Sequence, residues 1–457
     1  MIGLLVFGLG LAVLAALAVL ALDLLIRRVE VGAALLLASA VIQAVFISNV
    51  PSVVAPGGTR IEVTDAVATL LVAAALARLL RVKRFTPYQR WLLLLGALLL
   101  VSLVRGVAAF GVQTSVNDFR NYMFFVGGAV YVATFSASPK VFDRIGKIWL
   151  VMSVPMLVLI ALRWLAVFGV ADVGVPMEQF GNDAAVKVVD GPYAFFLGLA
   201  AVLTIPAWQN RDHRSRWVRG LSVIVLIFVI MLNRRTVWVA MIAGLAALML
   251  RNRQLGRRAI WLVIAVAIVA VGLFVALSGE GGGEEPVASS ASSTGTLAWR
   301  IEGWSELVTS WSKNPANWFV GEPFGSSFAR KVEGSKTTAH PHDFYIETML
   351  RAGIAGLLAL IAVTAGPLRR LWRMPARDPG LLLGPDVVPA LLTMQLIWFI
   401  TWQPGVEQGL VIGLALALVI PLPGRRALSS RAASASGPHQ NPGREAIPPG
   451  PAIQHLR

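Results

Sequence analysis

Apolar runs of about 20 residues recur along almost the whole chain, each long enough as a helix to cross the roughly 30 Å of hydrocarbon in a bilayer. That repetition constrains the fold more than any motif. In lipid no water satisfies backbone N–H and C=O groups, so each crossing segment must close its hydrogen bonds internally. The chain is therefore predicted to be an all-α polytopic membrane protein. Spans are expected near 2–26, 31–50, 62–80, 91–111, 118–137, 147–168, 190–207, 219–233, 236–250, 259–278, 343–365, 387–402 and 406–422. Thirteen spans fit with the N-terminus outside, and twelve fit if the first run is re-entrant. That first run lacks a basic leader and a small-residue cleavage site, so it reads as a span and not as a signal peptide.

Net charge is +16, which in a soluble protein would point to nucleic acid. Here the basic residues gather between spans, in "RLLRVKRFTPYQR", "NRDHRSRWVR", "RNRQLGRR" and "PLRRLWRMPAR". With alternating spans these clusters share one side, as the positive-inside rule asks of the cytoplasmic face. The charge is a topology signal, and no nucleic-acid partner is expected. The absence of cysteine excludes disulfides and thiolate metal sites.

Four regions follow: transmembrane helices over 1–278, a large external loop over 279–341, C-terminal spans over 342–424 and a disordered cytoplasmic tail over 425–457. The loop opens Gly-, Glu- and Ser-rich and becomes helix-like in "LAWRIEGWSELVTSWSKN", where Trp299, Trp304, Leu307 and Trp311 recur at helical spacing. A loop of this length in a compact protein is usually functional. Charges inside or beside spans are costly and suggest function. Arg105, Asp118, Arg120, Arg163 and Arg235 fall toward the outer ends of their spans, with Arg300 on the loop. Together they suggest a cationic site at the outer leaflet for an anionic head group. The alternative for each arginine is snorkelling to the interface. Arg234 and Arg235 stand in a tight external turn, against the positive-inside trend, and a phosphate partner would explain them because guanidinium binds phosphate in bidentate fashion.

His340 and His342 lie where the polar loop meets the next span. His342-Asp343, nine residues, then Gly353-Ile354-Ala355-Gly356 resembles the His-Asn-x9-Gly-x-x-Gly signature of the O-antigen ligase and polymerase superfamily of bacterial membrane glycosyltransferases. "WRIEGWSELVTSWSKNPANWFVGEPFGSSF" resembles the start of that family's large periplasmic loop, and "NRRTVWVAMIAG" resembles its Ser-Arg-Thr span start. The resemblance implies a GT-C-like membrane enzyme in which His342 is the catalytic base and Arg235 and Arg300 bind the diphosphate. It departs from the family at Asp343, where Asn is usual, and at Arg234, where a small residue is common. Asp343 either raises the basicity of His342 or caps the following helix. Spacing to Gly353 selects His342 over His340. The further candidates are Arg234, His340, Asp343, Arg105, Arg120 and Arg163.

A neutral imidazole suits the removal of a proton from a sugar hydroxyl, and the positive end of the helix dipole favours the neutral ring. The resemblance implies a metal-independent, inverting glycosyltransferase of the inner membrane with its site facing the periplasm and no cofactor. The donor would be a glycan on undecaprenyl diphosphate, and the acceptor lipid A-core in a ligase or another saccharide in a polymerase, with ligase favoured. The rivals are a lipid or polysaccharide transporter, whose polar residues would gather at the midplane, and a metal-dependent transferase, for which Glu62 and Asp65 are the acidic pair. A His-x-His zinc site lacks a third ligand nearby. The bland reading of the two histidines is hydrogen bonding at a loop end, and that of Gly353 and Gly356 is close helix packing.

Overall fold

The computed structural model describes residues 16–268 and 295–420, apart from 48–49, 55–59, 81–84, 136–137, 168–169, 171–187, 209–215, 254–256, 258–259, 266, 333 and 376–381. The first half of the first expected span, most of the 259–278 span, the loop's opening and the tail lie outside the described residues.

Helix α1 covers 16–27. It is followed by α2 (Val29–Phe46), strands β1 (Ser52–Val54) and β2 (Arg60–Glu62), α3 (Val63–Leu79), α4 (Pro87–Phe110), α5 (Val112–Ala133), α6 (Pro139–Val167) and α7 (Gly191–Thr204). Then come α8 (Arg216–Met231), α9 (Arg235–Arg251), α10 (Gly295–Ser312), α11 (Asn317–Val320), β3 (Arg330–Val332), β4 (Ser335–Thr337), α12 (Phe344–Trp372), α13 (Val387–Trp398) and α14 (Gln408–Val419). The apolar runs predicted between 31 and 250 and between 343 and 422 thus form helices. Five helices among the described residues are long and apolar enough to cross a membrane: α2, α4, α6, α7 with its 3-10 extension to Trp208, and α12.

The all-α expectation is corrected at two places. β1 pairs antiparallel with β2 and β3 with β4, in two ribbons that apolar periodicity could not reveal because each strand is three residues long. Local chemistry sets several helix starts. Thr86 accepts from Gln89 N while Gln89 reaches back to the Thr86 backbone, and Pro87 occupies the first turn, where its missing N–H costs nothing. Asp190 caps α7 through Gly191 N.

Most of the described helices share one apolar core in which α14 packs on α5, α13 on α9 and α12 on α4. The segment around Phe324 lies on this bundle. A Cβ added at Gly106 of α4 would collide with the Phe324 carbonyl oxygen, so the glycine admits the loop backbone. α12 is not one straight rod. Gly353 has φ +68° and ψ −173°, which breaks the helix there. Two glycines in left-handed backbone make the crossing: Gly321 (φ +64°) lies on the Arg351 carbonyl, and Gly353 on the Trp318 and Phe319 carbonyls. An L side chain at either position would be strained and would also collide with backbone. Gly353 is therefore more than a helix-packing glycine.

Candidate active site

His342 occupies the turn that leads into α12, with φ +51°, uncommon for a residue bearing a side chain. Such a conformation costs about 1–3 kcal/mol and persists only where the surroundings enforce it. Three contacts enforce it here. Phe344 N donates to Phe399 O at 2.8 Å, joining the start of α12 to the end of α13. Trp304 Nε1 donates to Pro341 O at 2.6 Å, fastening the loop helix α10 to the residue before His342. The His342 ring meets Trp402 edge to face, with centroids 5.1 Å apart, and Trp402 stacks on Trp398, which stacks on Phe195.

Arg300 precedes Trp304 by one helical turn, so both residues share a face of α10. Anchoring Trp304 to Pro341 therefore delivers Arg300 to the histidine. Its Nη1 lies 3.4 Å from Thr401 O, in the turn that carries Trp402, and its charge acts on the His342 ring. Burial, followed by the Arg300 guanidinium, lowers the His342 pKa to about 4, so the ring is neutral through the whole neutral range. Burial also lowers the Arg300 pKa.

Asp343 accepts from Ile346 N at 2.8 Å and is the N-cap of α12. Burial raises its carboxyl to about 6, against the pull of the two backbone N–H groups it accepts. Of the two roles open from sequence, the cap is the one formed. His340 is exposed and sits against Phe328 at 5.2 Å between centroids.

Arg235 opens α9 and is exposed, while Arg234 donates to Val189 O. Val189 precedes Asp190, the cap of α7, and Gly191 beside it lies so close to the Trp402 ring that a Cβ would be 2.9 Å away. These contacts link the start of α9 to Trp402, on which the His342 ring packs. The other candidate arginines are engaged within the fold. Arg105 donates to Val320 O and Gly321 O, and Arg163 to Val188 O and Ala44 O. Arg120 pairs with Glu62 at 2.9 Å and Asp65 at 2.7 Å, so the acidic pair considered for a metal is engaged by one guanidinium. Among the described residues no group of three or more His, Asp or Glu side chains is arranged to hold a metal ion.

Four residues near the histidines went unnoticed in the sequence. Arg330 donates to Phe328 O and Ala339 O, lies over Trp299 at 5.5 Å, and acts electrostatically on both imidazoles. Trp402, Gln403 and Glu347 complete the surroundings. Three of the four lie in no histidine or arginine motif, and Glu347, within the His342–Gly353 segment, is one acid on a predicted span. The available signal was the cost of placing an acid there.

Residues 220–361 match the O-antigen ligase family model, a stretch that runs from α8 into α12 and includes Arg235, Arg300, His340 and His342. No curated protein matches the chain.

Proposed function

We propose that the chain is a metal-independent, inverting glycosyltransferase that moves a glycan from undecaprenyl diphosphate to a hydroxyl acceptor on the periplasmic face of the bacterial inner membrane. The observation that carries this reading is a neutral, strained histidine at a helix start, pressed on Trp402 and faced by the Arg300 guanidinium, within the segment that matches O-antigen ligases. A neutral imidazole removes the proton from the acceptor hydroxyl as its oxygen attacks the anomeric carbon. The bond to diphosphate breaks with its electron pair leaving on phosphate oxygen. Arg235 and Arg300 stabilise that charge where other enzymes use a metal ion. Attack from the face opposite the leaving group inverts the anomeric centre.

The topology that suits this chemistry has 12 to 13 spans, cytoplasmic basic clusters and one large periplasmic loop reaching to residue 341. Lipid A-core is the preferred acceptor, which makes the protein an O-antigen ligase; a second lipid-linked saccharide would make it a polymerase. Incubating the purified protein with lipid-linked glycan and either lipid A-core or extra donor tests both. A glycosylated core supports the ligase, chain extension the polymerase, and vesicle uptake of intact lipid-linked glycan without transfer would establish the transporter instead.

A further inference from the structure

Gln403 lies in the turn between α13 and α14, and its side-chain amide is held on three sides. Its Oε1 accepts from Asn121 Nδ2 of α5 at 3.2 Å, and its Nε2 donates to Glu347 Oε2 at 2.7 Å and to His340 Nδ1. Glu347 is 2% exposed and fixed in the first turn of α12. With Glu347 ionised, turning the amide over would set oxygen against its carboxylate, whereas the exposed Asn121 amide can turn with it. The hydrogen therefore points at Nδ1, which must supply a lone pair. A neutral imidazole that accepts at Nδ1 carries its proton on Nε2. Among the described residues that Nε2 makes no hydrogen bond, and the ring is exposed beside the His342 site.

We propose that Gln403, oriented by Glu347, locks His340 as the Nε2–H tautomer, and that this N–H donates to a diphosphate oxygen as charge builds on it. The inference rests on the transferase reading above and divides labour between the two imidazoles. His342 takes the hydroxyl proton; His340 donates a hydrogen bond and transfers no proton. Gln403 and Glu347 are positioning residues. A donor whose bond strengthens only as the leaving group forms acts on kcat and leaves KM nearly unchanged.

Two substitutions separate this role from a structural one. The amide nitrogen of Gln can stand near imidazole Nε2, whereas that of Asn stands near Nδ1. His340→Gln is expected to stay within about threefold of wild-type kcat, and His340→Asn to fall about tenfold at similar donor KM, the scale of one hydrogen bond to a charged group. Gln403→Glu places an acceptor at Nδ1, so it should reverse the tautomer and lower kcat in the same way. The tautomer is read without turnover from 15N-histidine NMR of detergent-solubilised protein, with His340→Ala identifying the signal. A protonated Nε2 in wild type and a protonated Nδ1 in Gln403→Glu are expected. A protonated Nδ1 in wild type, or full kcat in His340→Asn, overturns the proposal. Protein that transfers nothing from any lipid diphosphate would overturn the functional reading and with it the role of the N–H, while the NMR signal would still decide the tautomer.

Discussion

Arg351 and Arg300 stand in opposite states. Arg351 on α12 is fully buried, pairs with Asp118 at 2.6 Å, and donates to Pro323 O and to the Ser326 backbone and side chain. Asp118 in turn accepts from Gly325 N. Among the described residues Arg300 on the loop helix makes one long hydrogen bond, to Thr401 O. The first arginine spends both of its Nη groups on holding the 321–326 segment and Asp118 to α12. The second leaves most of its donors unengaged among the described residues. What separates the two arginines is how many hydrogen bonds each makes within the described fold.

The largest effect is expected at the proposed base. His342→Ala should lower transfer by about 10²–10⁴-fold, the range for loss of a general base, with insertion and size-exclusion elution unchanged. An active His342→Ala protein would move the chemistry elsewhere.

Next is the strut. Arg351→Met strands the Asp118 carboxylate, and removing one partner of a buried pair costs about 3–5 kcal/mol. A lowered thermal midpoint in detergent is expected, partly recovered in Arg351→Met with Asp118→Asn, and an unchanged midpoint would deny the strut.

Arg300→Lys should behave in the reverse way. Stability should stay within about 0.5 kcal/mol, as for substitutions away from packing features, while turnover falls at least about tenfold because an ammonium cannot form the bidentate fork. Arg235→Lys should do the same, and the pair should be non-additive because both act on one diphosphate. Arg369→Lys and Arg370→Lys, in the last turn of α12, are the controls. Near-normal turnover in Arg300→Lys would make that arginine a strut as well.

A smaller effect is expected in the pH profile. With the His342 pKa near 4, below the ordinary 6.5, the neutral base persists as pH falls, and the acid limb of kcat/KM should centre near pH 4. In stability the sign is the same: between about 4 and 6.5 the unfolded chain binds the proton and the folded site does not. The contribution of this residue therefore declines as pH falls through that window. Activity lost with a midpoint near 6.5 would show an ordinary, solvated histidine. Excess EDTA should change nothing, and activity lost to chelation and restored by magnesium would favour carboxylate chemistry.

Much of this was legible in the chain. Apolar runs marked the helices because a bilayer demands helical length and internal hydrogen bonding. The His342 to Gly353 spacing marked the segment whose start carries the strained histidine and whose end breaks the helix against the Phe319 carbonyl. Asp343 as a cap is likewise local, since capping depends on residues two or three positions away. Which arginine holds the fold was decided by tertiary structure alone, because its hydrogen bonds depend on partners such as Asp118, 233 positions from Arg351 by residue number. The same holds for Trp304 on Pro341, for Trp402 beneath His342, and for Gln403 between His340 and Glu347. Local patterns fix the elements because their hydrogen bonds close within a few residues; the site is assembled where distant segments meet, and no periodicity records which segments those are.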